Sequence, residues 1–327
     1  MEQKPPTAVI EAAHAQHLNT LPFHDTRDLE DADRGFLAAL SPCVVTAADG
    51  RVVWDNDGYA FLTGDAPTSV HPSLWRQSQL CAKQGLYEVV EGIYQVRGLD
   101  LSNISFIEGD TGVIVIDPLV CTETASAALQ LYRAHRGYRA VSAVIYTHSH
   151  VDHFGGVLGV TSQADVDAGK VAVIAPEHFT QHAVQENVYA GTAMARRAAY
   201  MYGAVLARGT QGQVGCGLGQ APSLGEVALI VPTVDVRETG EKHTVDGVEI
   251  SEAFRKSCEQ LTCGGHIAKV DEERAAACRD DRSAGGPGEA GHVSQVCQVR
   301  DDESMEVERL QVLPQRHLAG PPPSLYR

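Results

Sequence analysis

A chain of 327 residues, 43% hydrophobic and 21% charged, has room for one large domain or two modest ones; this ordinary globular balance excludes wholesale disorder and collagen-like repeats. Its 42 acidic residues against 26 Lys and Arg give a formal charge of −16, a field that repels phosphate backbones and argues against nucleic acid as a partner. The first residues show no apolar run of signal-peptide length, and nothing approaches the ~18 apolar residues of a membrane span, so a cytoplasmic location is the default expectation. Eight cysteines without a C-x-x-C pair read as reduced thiols.

In chain order, residues 1–85 read as an N-terminal extension in which RGFLAALSPCVVTAADGRVVWD predicts a helix and then a hairpin turning at Asp49-Gly50. From Leu86 the texture becomes that of a coherent domain, over 86–250. LYEVVEGIYQVRG and ISFIEGDTGVIVIDP read as strands, and the β-branched run GVIVIDP suits a strand buried on both faces. CTETASAALQLYRAHRG has helical spacing of Ala125, Ala128, Leu129 and Tyr132, with Gly137 as its C-cap. VSAVIYT and KVAVIAP are further buried strands, and EHFTQHAVQENVYAGTAMARRAAYMYGAVL predicts a long helical segment. GEVALIVPTVDVRETGEKHTVDGVEI returns to β, turning at Glu238–Gly240 and Asp246–Gly247. Strand–helix alternation of this kind predicts an α/β layered fold.

After Ile250 the composition changes. Of the last 77 residues 23 are charged and only 13 are Leu, Ile, Val or Phe, below the apolar content that supports a core. Residues 251–327 are therefore expected to form an atypical, poorly ordered tail, with the texture of out-of-frame or foreign sequence.

The strongest chemical signal is His148-Ser149-His150-Val151-Asp152-His153 at the end of a buried strand. Three imidazoles and a carboxylate offer nitrogen and oxygen ligands suited to Zn²⁺. In a tightly turned segment His148 and His150 can grip one ion while Asp152 and His153 face a second. Two such ions lower the pKa of a shared water and supply hydroxide near neutral pH. Gly155-Gly156 then let the chain pass closely beneath. A His-rich polar loop without metal is the plainer alternative.

THSHVDHFGG resembles the metal-binding signature of the metallo-β-lactamase superfamily, and Asp117 at the end of GVIVIDP matches the aspartate that precedes it there. LPFHDTRDLEDADRGFLA, VWDNDGYAFL, QENVYAG, AMARRAAYMYGA, GQVGCGLGQ and GEVALIVPT narrow this to the linear alkyl sulfatase (alkyl/aryl-sulfatase) group, in register from about residue 20 to 250. The resemblance implies an αββα sandwich, incomplete at the C-terminal side, and zinc-dependent hydrolysis of alkyl sulfates such as dodecyl sulfate. It makes His148 and His150 ligands of one Zn²⁺ and Asp152 and His153 ligands of the other. Asp152 is then also the catalytic candidate, and Asp117 holds the metal loop.

Other residues are weaker candidates. Arg196 and Arg197 match sulfate chemistry but point apart on a helix, Tyr189, Tyr200 and Tyr202 suit a helix core better than an alkyl channel, and GCGLG reads as a loop near the site.

Members of the group are roughly twice as long, and they dimerise through a domain not visible here. Two glutamates and a histidine that complete their zinc site come after the point matching Ile250; Glu259, His266, His292 and His317 are poor substitutes in their settings. One zinc ion or none is therefore expected, with little turnover. The competing readings are another hydrolase of the same superfamily, acting on lactam, thioester or phosphodiester bonds, and a non-catalytic remnant.

Overall fold

The structure is a computed structural model that describes residues 4–253 and 309–313. Helices α1 (Ala8–Thr20) and α2 (Arg27–Asp33) lead into β1 (Phe36–Ala38), the hairpin of β2 (Val44–Thr46) and β3 (Val52–Asp55), and helix α3 (Pro72–Cys81). The hairpin turns at Asp49-Gly50 as expected, with Gly50 at φ 83°. The helix expected from RGFLAAL is instead strand β1. Gly35, at φ 74°, lets the chain close on the next strand, where the Gly35 carbonyl accepts from Glu88 N at 2.7 Å; a side chain there would collide with the Glu88 carbonyl. Gln84 completes the docking by bonding both backbone groups of Leu40, at 3.1 and 2.8 Å.

Next come β4 (Gly85–Val90), β5 (Ile93–Arg97), β6 (Ile104–Glu108), β7 (Gly112–Ile116), α4 (Thr122–Arg136), β8 (Ala140–Ile145), α5 (Gln163–Asp167), β9 (Ala172–Pro176), α6 (Phe179–Val184), α7 (Gly191–Met201) and β10 (Val234–Val236). β1, β4, β5, β6, β7, β8, β9 and β10 form one sheet in that order, antiparallel as far as β7 and parallel from there. A second sheet contains β11 (Lys242–Val245), β12 (Val248–Ala253) and β13 (Arg309–Leu313).

Strand alternation sets the layers. On one face of the large sheet Phe106, Val113, Val115 and Val144 pack with Ala125, Ala128, Leu129 and Tyr132 of α4. Phe106 and Tyr132 stack at 4.7 Å, and the Tyr132 hydroxyl donates to Glu108 at 3.0 Å. On the other face Ile107, Ile114, Ala143 and Ile145 meet Val248 and Ile250 of β12. These are the helical and two sheet layers of a metallo-β-lactamase fold, as expected. The tail expected over 251–327, with Glu259, His266, His292 and His317, lies outside the described residues apart from 251–253 and β13.

Two further expectations fail locally. The long helix after β9 is interrupted: Gln185–Tyr189 form a π-turn, with Ala190 N bonding back to Gln185 O at 2.9 Å, and α7 buries no residue. GEVALIVPT is a strap rather than a strand, because its amides and carbonyls are spent elsewhere. Glu226 O accepts from Thr122 N and Ala228 N donates to Gly155 O, each at 2.8 Å.

Candidate metal centre

β7 and β8 run parallel and end side by side, and α/β folds place ligands beyond the carboxyl ends of such strands. Asp117 follows β7 directly. It adopts φ 54°, a left-handed conformation that Asp tolerates better than most residues, and is 1% exposed. Its amide donates to Ile145 O at 3.0 Å, locking the two strand ends together. Its carboxylate accepts from Thr147 N at 2.9 Å and the Thr147 hydroxyl at 2.8 Å, and lies 2.8 Å from His153 Nδ1. Leu119, at φ 63°, strains the same turn, and such strain gathers at functional sites.

The hydrogen-bond order assigns the ring protons. Because the Thr147 hydroxyl donates to Asp117, its oxygen accepts from His148 Nδ1 at 3.0 Å, and His148 Nε2 is left bare. That nitrogen lies 2.9 Å from His150 Nδ1. His150 Nε2 faces Glu186 at 3.0 Å, and Asp152 Oδ2 lies 3.3 Å from His153 Nε2. The His148 and His153 rings stand 4.0 Å apart. The Ser102 hydroxyl donates to the Asp152 carbonyl, fixing the loop from a neighbouring segment.

Burial, helped by the positive charge of His153, drives His148 down to about 4, so it is neutral. His150 moves up, first through its bond to Glu186. Burial opposes charge on both members of the remaining pair, yet Asp117 and Asp152 outweigh it and lift His153 to about 10, while the bond and charge of His153 hold Asp152 down to about 2.

All four predicted ligands and Asp117 are thus gathered at one place. Among the described residues no three His, Cys, Asp or Glu side chains are arranged as a metal cage, and the imidazoles pair with each other and with carboxylates instead. The donor set still fits zinc. Two donors about 2.1 Å from one tetrahedral ion stand roughly 3.4 Å apart. The His148–His150 and Asp152–His153 separations of 2.9 and 3.3 Å are close to that.

Glu186 and Ser102 join the site without any spacing signal; they arrive from segments dozens of residues away. A cavity of about 350 Å³ is walled by Trp54, Tyr59, Tyr202, Leu206, Arg208 and Cys216. Burial, with Cys216 and Asp152 adding to it, raises the Tyr202 hydroxyl. Tyr189 and Tyr200, expected in a helix core, are 83% and 91% exposed, and Arg196 and Arg197 are exposed on α7. GCGLG is a tight turn against Leu101, closed by Cys216 N to Gly219 O at 2.8 Å.

Residues 97–248 match the model of the metallo-beta-lactamase superfamily, and they contain the whole cluster. Residues 97–248 adopt the metallo-beta-lactamase fold. A linear primary-alkylsulfatase of a Pseudomonas species is 52% identical over 247 residues, covering 75% of this chain and 37% of that protein. An (R)-specific secondary-alkylsulfatase, also from a Pseudomonas species, is 48% identical over 252 residues, covering 76% of this chain and 38% of that one. The solved structure of a stereoselective inverting sec-alkylsulfatase from Pseudomonas superposes with a TM-score of 0.74 at 48% identity, over 77% of this chain and 40% of that one. The resemblance to the alkylsulfatases therefore extends well beyond the metallo-beta-lactamase domain's signature. The matched stretch spans 37% and 38% of the length of these two relatives.

Proposed function

We propose that this chain's metallo-beta-lactamase domain holds zinc through His148, His150, Asp152 and His153 and hydrolyses sulfate esters of aliphatic alcohols. The observation that carries the reading is the gathering of these four side chains in one cluster, His148 beside His150 and Asp152 beside His153, with His153 held by Asp117, in a chain so similar to alkylsulfatases. When bound, the metal supplies Lewis acidity and a water acidified toward neutrality. Asp117 sets both tautomers, leaving His148 Nε2 free to ligate and holding His153 Nδ1 so that Nε2 faces inward. Glu186 orients His150 in the same way. The cavity bounded by Tyr202 and Leu206 receives the alkyl chain, keeping water from that side of the ester.

The four ligands include no bridging carboxylate, so we infer fewer than two zinc ions per chain and slow turnover. Zinc content by mass spectrometry together with sulfate release from dodecyl sulfate tests this. Zinc uptake and sulfate release that His148→Ala abolishes support the reading; a protein that takes up no zinc, or whose sulfate release ignores that substitution, overturns it.

A further inference from the structure

Asp100 is 2% exposed and lies in the loop between β5 and β6, outside the metal cluster. Five donors converge on its carboxylate. Oδ1 accepts from Leu101 N at 2.8 Å and Ser223 N at 3.0 Å. Oδ2 accepts from Val120 N at 3.2 Å, the Thr124 hydroxyl at 2.8 Å and the Ser223 hydroxyl at 2.6 Å. These bonds join three stretches of chain far apart in sequence, and each leads to the metal loop or the cavity.

Along its own loop, two residues on, the Ser102 hydroxyl holds the Asp152 carbonyl. Through Val120 and Thr124 the carboxylate fixes the turn that begins at Asp117 and enters α4. That turn is the seat of the metal loop: Gly156 N donates to Leu119 O at 3.0 Å, and a Cβ on Gly155 or Gly156 would collide with the carbonyls of Val120 or Pro118. Through Ser223 it pins the segment that supplies Pro222 and Leu224 to the cavity wall.

We propose that Asp100 is a positioning residue that sets the metal loop, the Asp117 turn and the cavity wall in register from a point that touches none of the reacting groups. The requirement is for a carboxylate. An amide of the same shape turns one acceptor into a donor facing N–H and O–H groups, so at least one tie is lost and a donor–donor contact replaces it. The inference rests on the zinc reading for its effect on metal affinity, but its structural half is measurable without metal.

The test is Asp100→Asn beside wild type and a core control on the opposite face of the sheet, Ile107→Val, all in the full chain. In metal-free protein, amide exchange at Gly155 and Gly156 should accelerate about tenfold relative to that at Ala143–Ile145, and zinc affinity by chelator competition should fall about tenfold, the lower end of the range for losing a group that orients ligands. Ile107→Val should leave both ratios unchanged. A melting temperature lowered by Asp100→Asn with loop exchange and zinc affinity at their wild-type values would show that Asp100 only stabilises the fold. If Asp100→Asn does not fold, Ser102→Ala removes the single bond to Asp152; unchanged exchange at Gly155 and unchanged affinity there overturn the proposal. If wild type takes up no zinc, the functional reading fails, and the exchange ratio still decides the role of Asp100.

Discussion

Replacing Asp117 by Asn probes the centre most directly, because it preserves shape and changes only which atoms donate. Oδ1 and Oδ2 accept three bonds, from Thr147 N, the Thr147 hydroxyl and His153 Nδ1, between 2.8 and 2.9 Å. Hydrogen bonds to a charged partner exceed neutral ones by about 1 kcal/mol each, so the metal-free protein should lose about 3 kcal/mol in urea denaturation. The amide NH₂ must also replace one acceptor. If it faces His153 Nδ1, that nitrogen must become the acceptor, and the neutral ring then keeps its proton on Nε2, the atom turned toward Asp152, instead of on Nδ1. If it faces Thr147, the hydroxyl no longer needs His148 Nδ1–H, and the bare Nε2 loses its guarantee. Either arrangement puts a proton where a ligand lone pair is needed, and zinc affinity should fall 10–100-fold, about 1.4–2.7 kcal/mol. Chelator competition on variants shown to be folded by circular dichroism measures this. Zinc affinity within twofold of wild type in folded Asp117→Asn would refute the argument that this carboxylate sets the tautomers.

Glu186→Gln removes the anion that faces His150, and sulfate release should fall about tenfold with zinc content little changed; equal activity would leave Glu186 without a role in the site. Tyr202→Ala opens the cavity wall, so the KM for dodecyl sulfate should change more than that for a short-chain ester, and equal shifts would move the alkyl chain elsewhere. Burial works to raise Glu108, but bonds to Arg136 and Tyr132 outweigh it and hold the carboxylate below its ordinary value. Its contribution is therefore present above the unfolded pKa and lost as pH falls through the folded one. Glu108→Gln should cost about 1–2 kcal/mol at pH 7 and flatten the decline of stability below about pH 4.5 in acid titrations followed by urea melts.

How much the sequence disclosed depended on whether the signal was local. GVIVI announces a strand buried on both faces because β-branched residues fill both sides of a parallel sheet, and β7 is buried at every position. The helix ending at Gly137 was equally plain, since apolar spacing and a left-handed cap both lie within one segment. HSHVDH carried four ligand candidates in six residues, and Asp117 came with the strand before them. RGFLAAL has helical spacing, and only its docking on β4 through Gly35 and Gln84 makes it a strand; GEVALIVPT has strand texture, and only its bonds to Thr122 and Gly155 make it a strap. The partners that join the site, Glu186 and Ser102, act across sequence separations of 36 and 50 residues, and Asp100 bonds to Ser223 across 123, where no periodicity reaches.

The mixed sheet also has a kinetic reading. From β4 to β7 each strand pairs with the next through a short connection, so this half needs little loop closure and can form early. From β7 onward every pairing waits for a crossover, and β10 reaches β9 only after more than fifty intervening residues. Asp117 stands on the seam between these halves. Its amide and carboxylate bond to Ile145 and Thr147 across that seam, so the metal loop sits where the locally paired half meets the half that depends on crossovers.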